Sequence, residues 1–304
     1  MIVVETFSAA RALRHGRVGL VPTMGYLHEG HLSLAHAARR DSDTVVMSLF
    51  VNPLQFAPTD DLAGYPRALD RDAALAEGAG VDVLFAPAVE EMYPAVPSTE
   101  VTVGAVSSAL EGVYRPGHFA GVATVVTKLF AGLQPDRAFF GRKDAQQLAV
   151  IKRLVRDLSF PVDVAGCPIV REAGGLALSS RNTYLSEDER RAALSLSRGL
   201  MAAADAAEAG ERSGDVLGGI VLEAIDRATS SGPVPIDVDY VGLADTSDVL
   251  VLEHLDRAAF LAVAARVGTT RLIDNVHFDV AGDGFVADRG ITIDTTSILY
   301  GKER

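Results

Sequence analysis

The stretch VGLVPTMGYLHEGHLSLAHAARRDSDTVVMSLFVNP, residues 18–53, decides the fold. Its first five residues, VGLVP, form a short apolar run that reads as a buried strand. DTVVMSLFVNP, from Asp43, is a near-continuous apolar run of the kind that lies inside a parallel sheet covered on both faces. Between them Leu32, Leu34, Ala35 and Ala38 fall on one face of a helix predicted over residues 31–40. Strand, helix, strand is the repeating unit of a parallel α/β sheet. The alternation continues with a helix over 67–78 that ends at the glycines of EGAG, a strand VDVLFAP and a helix over 121–133. A strand RAFFG, an amphipathic helix KDAQQLAVIKRLVRDL and a last strand PVDVAGCPIV complete it. The fold class predicted is α/β, a Rossmann-like doubly wound parallel sheet.

The second half has a different texture. Ser186 with Glu189 forms a capping-box pattern ahead of an Ala-rich helix that reaches about Ala209. After GERSGD comes a helix near 215–229, and IDVDYVGLA alternates its apolar residues with period two. RAAFLAVAARV and TTRLIDNV add strand-like sequence. The division expected is 1–169, a nucleotide-binding Rossmann-like domain, and 170–304, a smaller α+β domain. Beyond Asn275 the patterning is too weak to assign elements.

A chain of 304 residues, 48% hydrophobic and 22% charged, has the composition of a folded globular protein of two ordinary domains. A formal net charge of −12 opposes nucleic-acid binding, which needs a basic face against phosphates. It leaves room for a small anion such as ATP held by local cations and backbone N–H groups. No apolar run approaches the ~18 residues of a membrane span, and MIVVETFSAARALRH lacks the layout of a secretory leader, so no membrane partner and a cytoplasmic location are expected. Cys167 is the sole cysteine, which excludes an intramolecular disulfide and a thiolate pair for zinc. The lysines are Lys128, Lys143, Lys152 and Lys302, so a lysine inside a polar motif carries information.

Four segments could carry chemistry. His28-Glu29-Gly30-His31 lies at a strand-to-helix turn, where unsatisfied N–H groups and the helix dipole favour an anion. Glycine between the histidines removes a Cβ that would hinder a phosphate or purine. Zinc is excluded by spacing, since HExxH needs histidines at i and i+4, and no metal ligands are assigned. A nucleotide role and plain structural histidines both fit the residues. In SLFVNPLQF, residues 48–56, Asn52 and Gln55 are either polar groups for a small polyfunctional acid at the sheet edge or parts of an Asn-Pro turn. FFGRKDAQQLAVIKRL, from residue 139, puts Gly141 at a turn, Lys143 and Asp144 in the first helical turn, and Gln147 one turn on. A lysine opposing the dipole there is explained by a nearby anion, or is a solvated surface lysine. ALSSRNTYLS, 177–186, gathers Ser179, Ser180 and Arg181, able to grip phosphates or to cap a helix. GVYRPGHF lacks the Lys-Ser/Thr of a Walker loop, and EGAGVDV lacks the third glycine of a dinucleotide fingerprint.

Taken together, PTMGYLHEGH, SLFVNPLQF, YPR, YRPGHFAGVATVV, FGRKDAQQLAVI and LSSRN, with DYVGLAD and TRLIDN more faintly, resemble the pantothenate synthetases (pantoate–β-alanine ligases) of the HxGH nucleotidyl transferase superfamily. The resemblance spans about 20–275. It implies that ATP and pantoate give pantoyl adenylate and pyrophosphate, after which β-alanine attacks and AMP leaves. Met24, Gly25, Tyr26, Leu27, His28, Glu29, Gly30 and His31 would line the ATP site, with His28 and His31 on the phosphates and His31 the proton donor. Gly141, Arg142, Lys143 and Asp144 would contact the nucleotide, Lys143 reaching the phosphates. Val170, Leu178, Ser179, Ser180 and Arg181 would close over it as part of a lid domain. Gln55 and Gln147 would hold pantoate, with Asn52 beside Gln55 and β-alanine nearby. Arg115 and His118 would sit near the site or a dimer surface. Mg2+ would ride on the ATP phosphates, and the resemblance implies a homodimer.

Two departures from the family pattern stand out. Leu178 replaces a usual methionine with little expected loss, and Tyr26, where a small residue is common, is expected to narrow or shield the nucleotide entrance. The rivals are a nucleotidyl transferase acting on a phosphate ester and a non-catalytic nucleotide-binding module. The first needs more cations than the mostly neutral Asn52, Gln55 and Gln147 supply; the second would bind ATP without releasing pyrophosphate.

Overall fold

A computed structural model describes residues 1–56, 62, 64–282 and 284–301. Lys302 and the last residues of the domain drawn to 304 lie outside the described residues. The chain divides into two compact units. The first comprises Met1–Ser107, Arg115–Gly141 and Gln147–Cys167; the second comprises Ser108–Tyr114, Arg142–Gln146 and the chain from Pro168 onward.

In chain order the elements of the first stretch are β1 (Ile2–Val4), α1 (Phe7–Ala12), β2 (Val18–Thr23), α2 (Glu29–Asp41), β3 (Thr44–Leu49), α3 (Leu69–Gly78), β4 (Val83–Phe85) and α4 (Val89–Met92). Then come α5 (Glu111–Tyr114), α6 (His118–Leu133), β5 (Arg137–Gly141), α7 (Ala145–Asp157) and β6 (Asp163–Cys167). The six strands form one sheet in the order β1-β4-β3-β2-β5-β6, and every pairing is parallel. The predicted parallel α/β sheet is thus the observed one. From β2 the chain steps outward to β3 and β4, then returns to lay β5 on the other side of β2. That reversal makes the carboxyl ends of β2 and β5 the switch point of the strand order, the place where open α/β sheets bind ligands. Val21, Val45, Met47 and Leu84 on the strands pack with Leu34, Ala35 and Ala38 of α2, the helix face read from the sequence.

The second unit continues with β7 (Val170–Arg171), α8 (Glu187–Glu208), α9 (Gly214–Ser231), β8 (Ile236–Asp245), β9 (Ala259–Val267), β10 (Thr270–Ala281), β11 (Gly284–Asp288) and β12 (Ile291–Thr292). An antiparallel sheet β11-β10-β9-β8 shares a core with α8 and α9, built on Leu196, Leu200, Val221, Ile225, Leu261 and Phe278; β7 pairs separately with β12. The Ser186–Glu189 capping box is present at the start of α8.

Three expectations of detail change. PVDVAGCPIV is two strands in different sheets, β6 and β7, separated at Pro168, whose ring leaves no N–H to continue a ladder. The helix expected from Lys143 begins as a 3-10 turn, Arg142–Asp144, before α7. The tail, unassigned from sequence, extends β10 to Ala281 and adds β11 and β12. Its signal is weak because Val276, His277 and Phe278 are all buried in succession, which erases the period of two.

Candidate active site

β2 ends at Thr23, and the loop to α2 passes through two left-handed residues, Gly25 at φ 86° and Tyr26 at φ 50°. Tyr26 needs external support for that conformation, which costs of order 1–3 kcal/mol in a residue with a side chain. Asp72 of α3 supplies it: its buried carboxylate accepts from Tyr26 N–H at 2.7 Å and Leu27 N–H at 2.8 Å. Burial raises the Asp72 carboxyl above its ordinary range, while the Leu27 and Tyr26 N–H groups and Arg71 pull it back. Leu27 itself lies in the apolar core, so only its backbone faces the loop. The Arg71 guanidinium lies 5.0 Å from the centre of the Tyr26 ring.

His28 caps α2 and His31 completes the cap. Gly30 N–H donates to His28 Nδ1 at 3.1 Å, and His28 N–H donates to His31 Nδ1 at 3.3 Å. Two backbone donors on two Nδ1 atoms determine the tautomers: each neutral ring carries its proton on Nε2. The rings lie 4.1 Å apart, giving a pair of Nε2–H donors at a positive helix end. Gly30 is required sterically, since a Cβ there would meet His28 Cε1 at 2.8 Å. The spacing H-x-G-H therefore has a local reason independent of any ligand: the rings are both cap and donor.

β3 pairs with β2 in register, Thr23 opposite Leu49, which brings the segment after β3 to the same sheet edge. There Asn52, 1% exposed, is committed within the protein: Nδ2 donates to Gln55 Oε1 at 3.0 Å and to Gly121 O at 3.1 Å. Its Oδ1 accepts from Tyr93 OH at 2.8 Å and Leu54 N–H at 3.3 Å. Because a backbone carbonyl and a backbone N–H face the Asn52 amide, its orientation is determined, and through it that of Gln55, whose Oε1 is the end of the amide that faces Asn52. The Gln55 carbonyl in turn lies 3.2 Å from His118 Nδ1 and 3.4 Å from Arg115 Nη2, while Arg115 Nη1 lies 3.1 Å from His118 Nε2. Asn52, Tyr93, Arg115 and His118 thus form a mount for Gln55. Gln147, on α7, is half-buried.

In the second unit the turn bearing Lys143 is pinned by its backbone. Asn275 Nδ2 donates to Arg142 O at 3.0 Å and Lys143 O at 2.7 Å, and His277 Nε2 lies 3.3 Å from Arg142 O. The Arg142 side chain pairs with Asp288 at 2.9 Å and Asp279 at 3.3 Å, whereas no ion pair of Lys143 occurs among the described residues. Asp144 is exposed. Asn275 is held by its neighbour Asp274, which makes a buried two-armed pair with Arg171 at 2.7 and 3.0 Å. Arg171 follows Val170 in β7, and Leu178 N–H donates to Val170 O at 2.9 Å. Val170 and Leu178 are buried, Ser179 caps a 3-10 turn over Ser180–Tyr184, and Arg181 is exposed. Asp72, Tyr93, Arg171 and Asp274 escaped the sequence reading because each acts through contacts distant along the chain.

A parallel sheet with a paired-histidine helix start at the carboxyl end of its central strand is the layout of a nucleotide-binding α/β enzyme. The family described as pantoate-beta-alanine ligase matches residues 3–277, and the chain belongs to that family. The pantothenate synthetase of Moorella thermoacetica is 54% identical over 277 residues, covering 91% of this chain and 96% of its own. The crystal structure of pantothenate synthetase from Thermus thermophilus has a TM-score of 0.83 at 50% identity, over 90% of this chain and 98% of that one. A pantoate-beta-alanine ligase from Francisella tularensis, complexed with beta-gamma ATP and beta-alanine, has a TM-score of 0.73 at 32% identity, over 90% of this chain and 97% of that one.

Proposed function

We infer that the protein is an AMP-forming ligase that joins (R)-pantoate and β-alanine to give pantothenate, AMP and pyrophosphate. In the first step a pantoate carboxylate oxygen bonds to the α-phosphorus of Mg·ATP and the bond to pyrophosphate breaks, leaving pantoyl adenylate. In the second the amine of β-alanine bonds to the acyl carbon, AMP leaves and the amine sheds a proton. One observation carries the reading: His28 and His31 each accept a backbone N–H at Nδ1, which puts the proton of each neutral ring on Nε2, the donor this reading assigns to phosphate oxygens as charge builds on them.

Lys143 is assigned to the phosphates. Met24, Gly25, Tyr26, Leu27, Glu29, Gly30, Gly141, Arg142, Asp144, Val170, Leu178, Ser179, Ser180 and Arg181 line the nucleotide. For Leu27 and Arg142 the backbone is the contact this reading uses, because the Leu27 side chain is core and the Arg142 side chain is paired with Asp288. Gln55 and Gln147 take pantoate, and Asn52 acts through Gln55. The reading also assigns nucleotide and pantoate binding to residues 1–169 and a lid role to 170–304. A homodimer in the cytoplasm completes it; among the described residues no helix is long and apolar enough to cross a membrane.

The test is pyrophosphate and AMP formation by purified protein with Mg·ATP, adding D-pantoate and β-alanine separately and together. AMP that accumulates only with both acids supports the ligase, and His31→Ala is expected to lower the rate about a hundredfold or more. ATP binding without pyrophosphate release in the presence of pantoate would overturn it.

A further inference from the structure

The family match ends at residue 277, yet the chain beyond it packs onto the segment that leads into the Ser179–Arg181 loop. It does so twice. At β12, Ile291 N–H donates to Ile169 O at 2.7 Å and Ile293 N–H to Arg171 O at 2.9 Å, closing a parallel pair with β7. Further on, Tyr300 OH donates to Glu172 Oε1 at 2.6 Å, and the same oxygen accepts from Asn182 Nδ2 at 3.0 Å.

The other Glu172 oxygen accepts from Arg190 Nη1 at 2.7 Å, and Arg190 Nη2 donates to Asn182 O at 2.9 Å. The Arg190 guanidinium lies 4.5 Å from the centre of the Tyr300 ring, so tyrosine contributes both a hydroxyl and a π face. Asn182, fully buried, also donates to Ala177 O at 3.0 Å. These four side chains close a network under the turn whose cap is Ser179 and whose second residue is Arg181. Burial and Glu172 both push the Tyr300 hydroxyl up, which keeps it a donor.

We propose that the chain from Ile291 to Tyr300 is a strap, and that Tyr300, acting through Glu172 on Asn182, is a positioning residue that holds the Ser179–Arg181 loop in the conformation that receives nucleotide. The nucleotide part of this statement rests on the function proposed above. A carboxylate shared by one hydroxyl, one amide and one guanidinium is stiff only while all three are present; removing the hydroxyl lets Glu172 and Asn182 re-partner and the loop open more often.

Tyr300→Phe in the full chain tests it, because the ring stays over Arg190 and only the hydroxyl is lost. Native-state trypsin cleavage after Arg181 reads the loop directly and needs no nucleotide. Cleavage after Arg257, also exposed, in the same digest controls for global unfolding. The expected result is cleavage at Arg181 accelerated roughly threefold to tenfold with Arg257 unchanged, and a KM for ATP raised by a similar factor while the KM for pantoate holds. Unchanged cleavage at Arg181 would overturn the strap. Accelerated cleavage with an unchanged KM for ATP would support the strap and overturn the assignment of this loop to the nucleotide.

Discussion

Tyr93 shows how a residue outside every motif can control one inside. Burial pushes its hydroxyl up to about 12, so at neutral pH it remains a donor to Asn52 Oδ1, and Asn52 in turn orients Gln55. Tyr93→Phe is expected to raise the KM for pantoate roughly threefold to tenfold with the KM for ATP unchanged, measured by steady-state kinetics. Asp72 does for the histidine loop what Tyr93 does for Gln55. Asp72→Asn leaves one of the Tyr26 and Leu27 N–H groups facing an amide NH2. A stability loss of about 1–3 kcal/mol in urea denaturation is expected, with kcat reduced because the loop entering the His28 cap is no longer held. The histidines, and the Gly30 and His28 N–H groups that set their tautomer, all lie within HEGH; Asp72, which holds the loop leading to them, was not legible. A single buried Asp in a helix carries no periodic signature.

At the scale of elements, helix α6 and the 3-10 turn Pro53–Gln55 depend on one glycine. A Cβ on Gly121 would stand 2.1 Å from Leu54 O and 3.0 Å from Gln55 N, with backbone on both sides and no side chain to swing away. Gly121→Ala is therefore expected to displace the turn. It should destabilise the protein by about 1–3 kcal/mol, raise the KM for pantoate, and lower Tm in calorimetry. The helix was readable over 121–133, but it starts at His118, and the reason lies outside the helix: His118 and Arg115 meet the Gln55 carbonyl. The strand expected over PVDVAGCPIV illustrates the opposite limit. Composition marked the whole run as strand, while Pro168 and the partner strands β5 and β12 divided it between two sheets.

At the scale of the whole molecule, pH reports on the packing of β10 against the Lys143 turn. His277 is held down to about 4, first by burial and then by Arg142, with Asp288 and Asp279 opposing. Unfolded, it titrates near 6.5, so between pH 6.5 and 4 the unfolded chain binds the extra proton and stability falls as pH falls. The contribution is complete above pH 6.5 and amounts to about 3 kcal/mol across the window. His277→Gln, which keeps a donor for Arg142 O, is expected to flatten that part of the pH dependence in urea midpoints measured at pH 7 and pH 5. An unchanged slope would assign the dependence elsewhere.

The features legible along the chain are local in origin. Apolar runs and helical periodicity specify the alternating strands and helices of the parallel sheet. The Ser186–Glu189 pair specifies the start of α8, and H-x-G-H specifies a cap made of two imidazoles, because i to i+3 contacts need only one turn of chain. Packing alone selected Asp72 to support the loop into that cap and Asn52 to orient the Gln55 amide. It also decided that the tail after Asn275 would build β11 and β12 and reach Glu172. The bonds of Tyr93 to Asn52 and of Tyr300 to Glu172 join residues 41 and 128 positions apart, and no short-range pattern encodes them; they exist only once the packed core has brought the partners together.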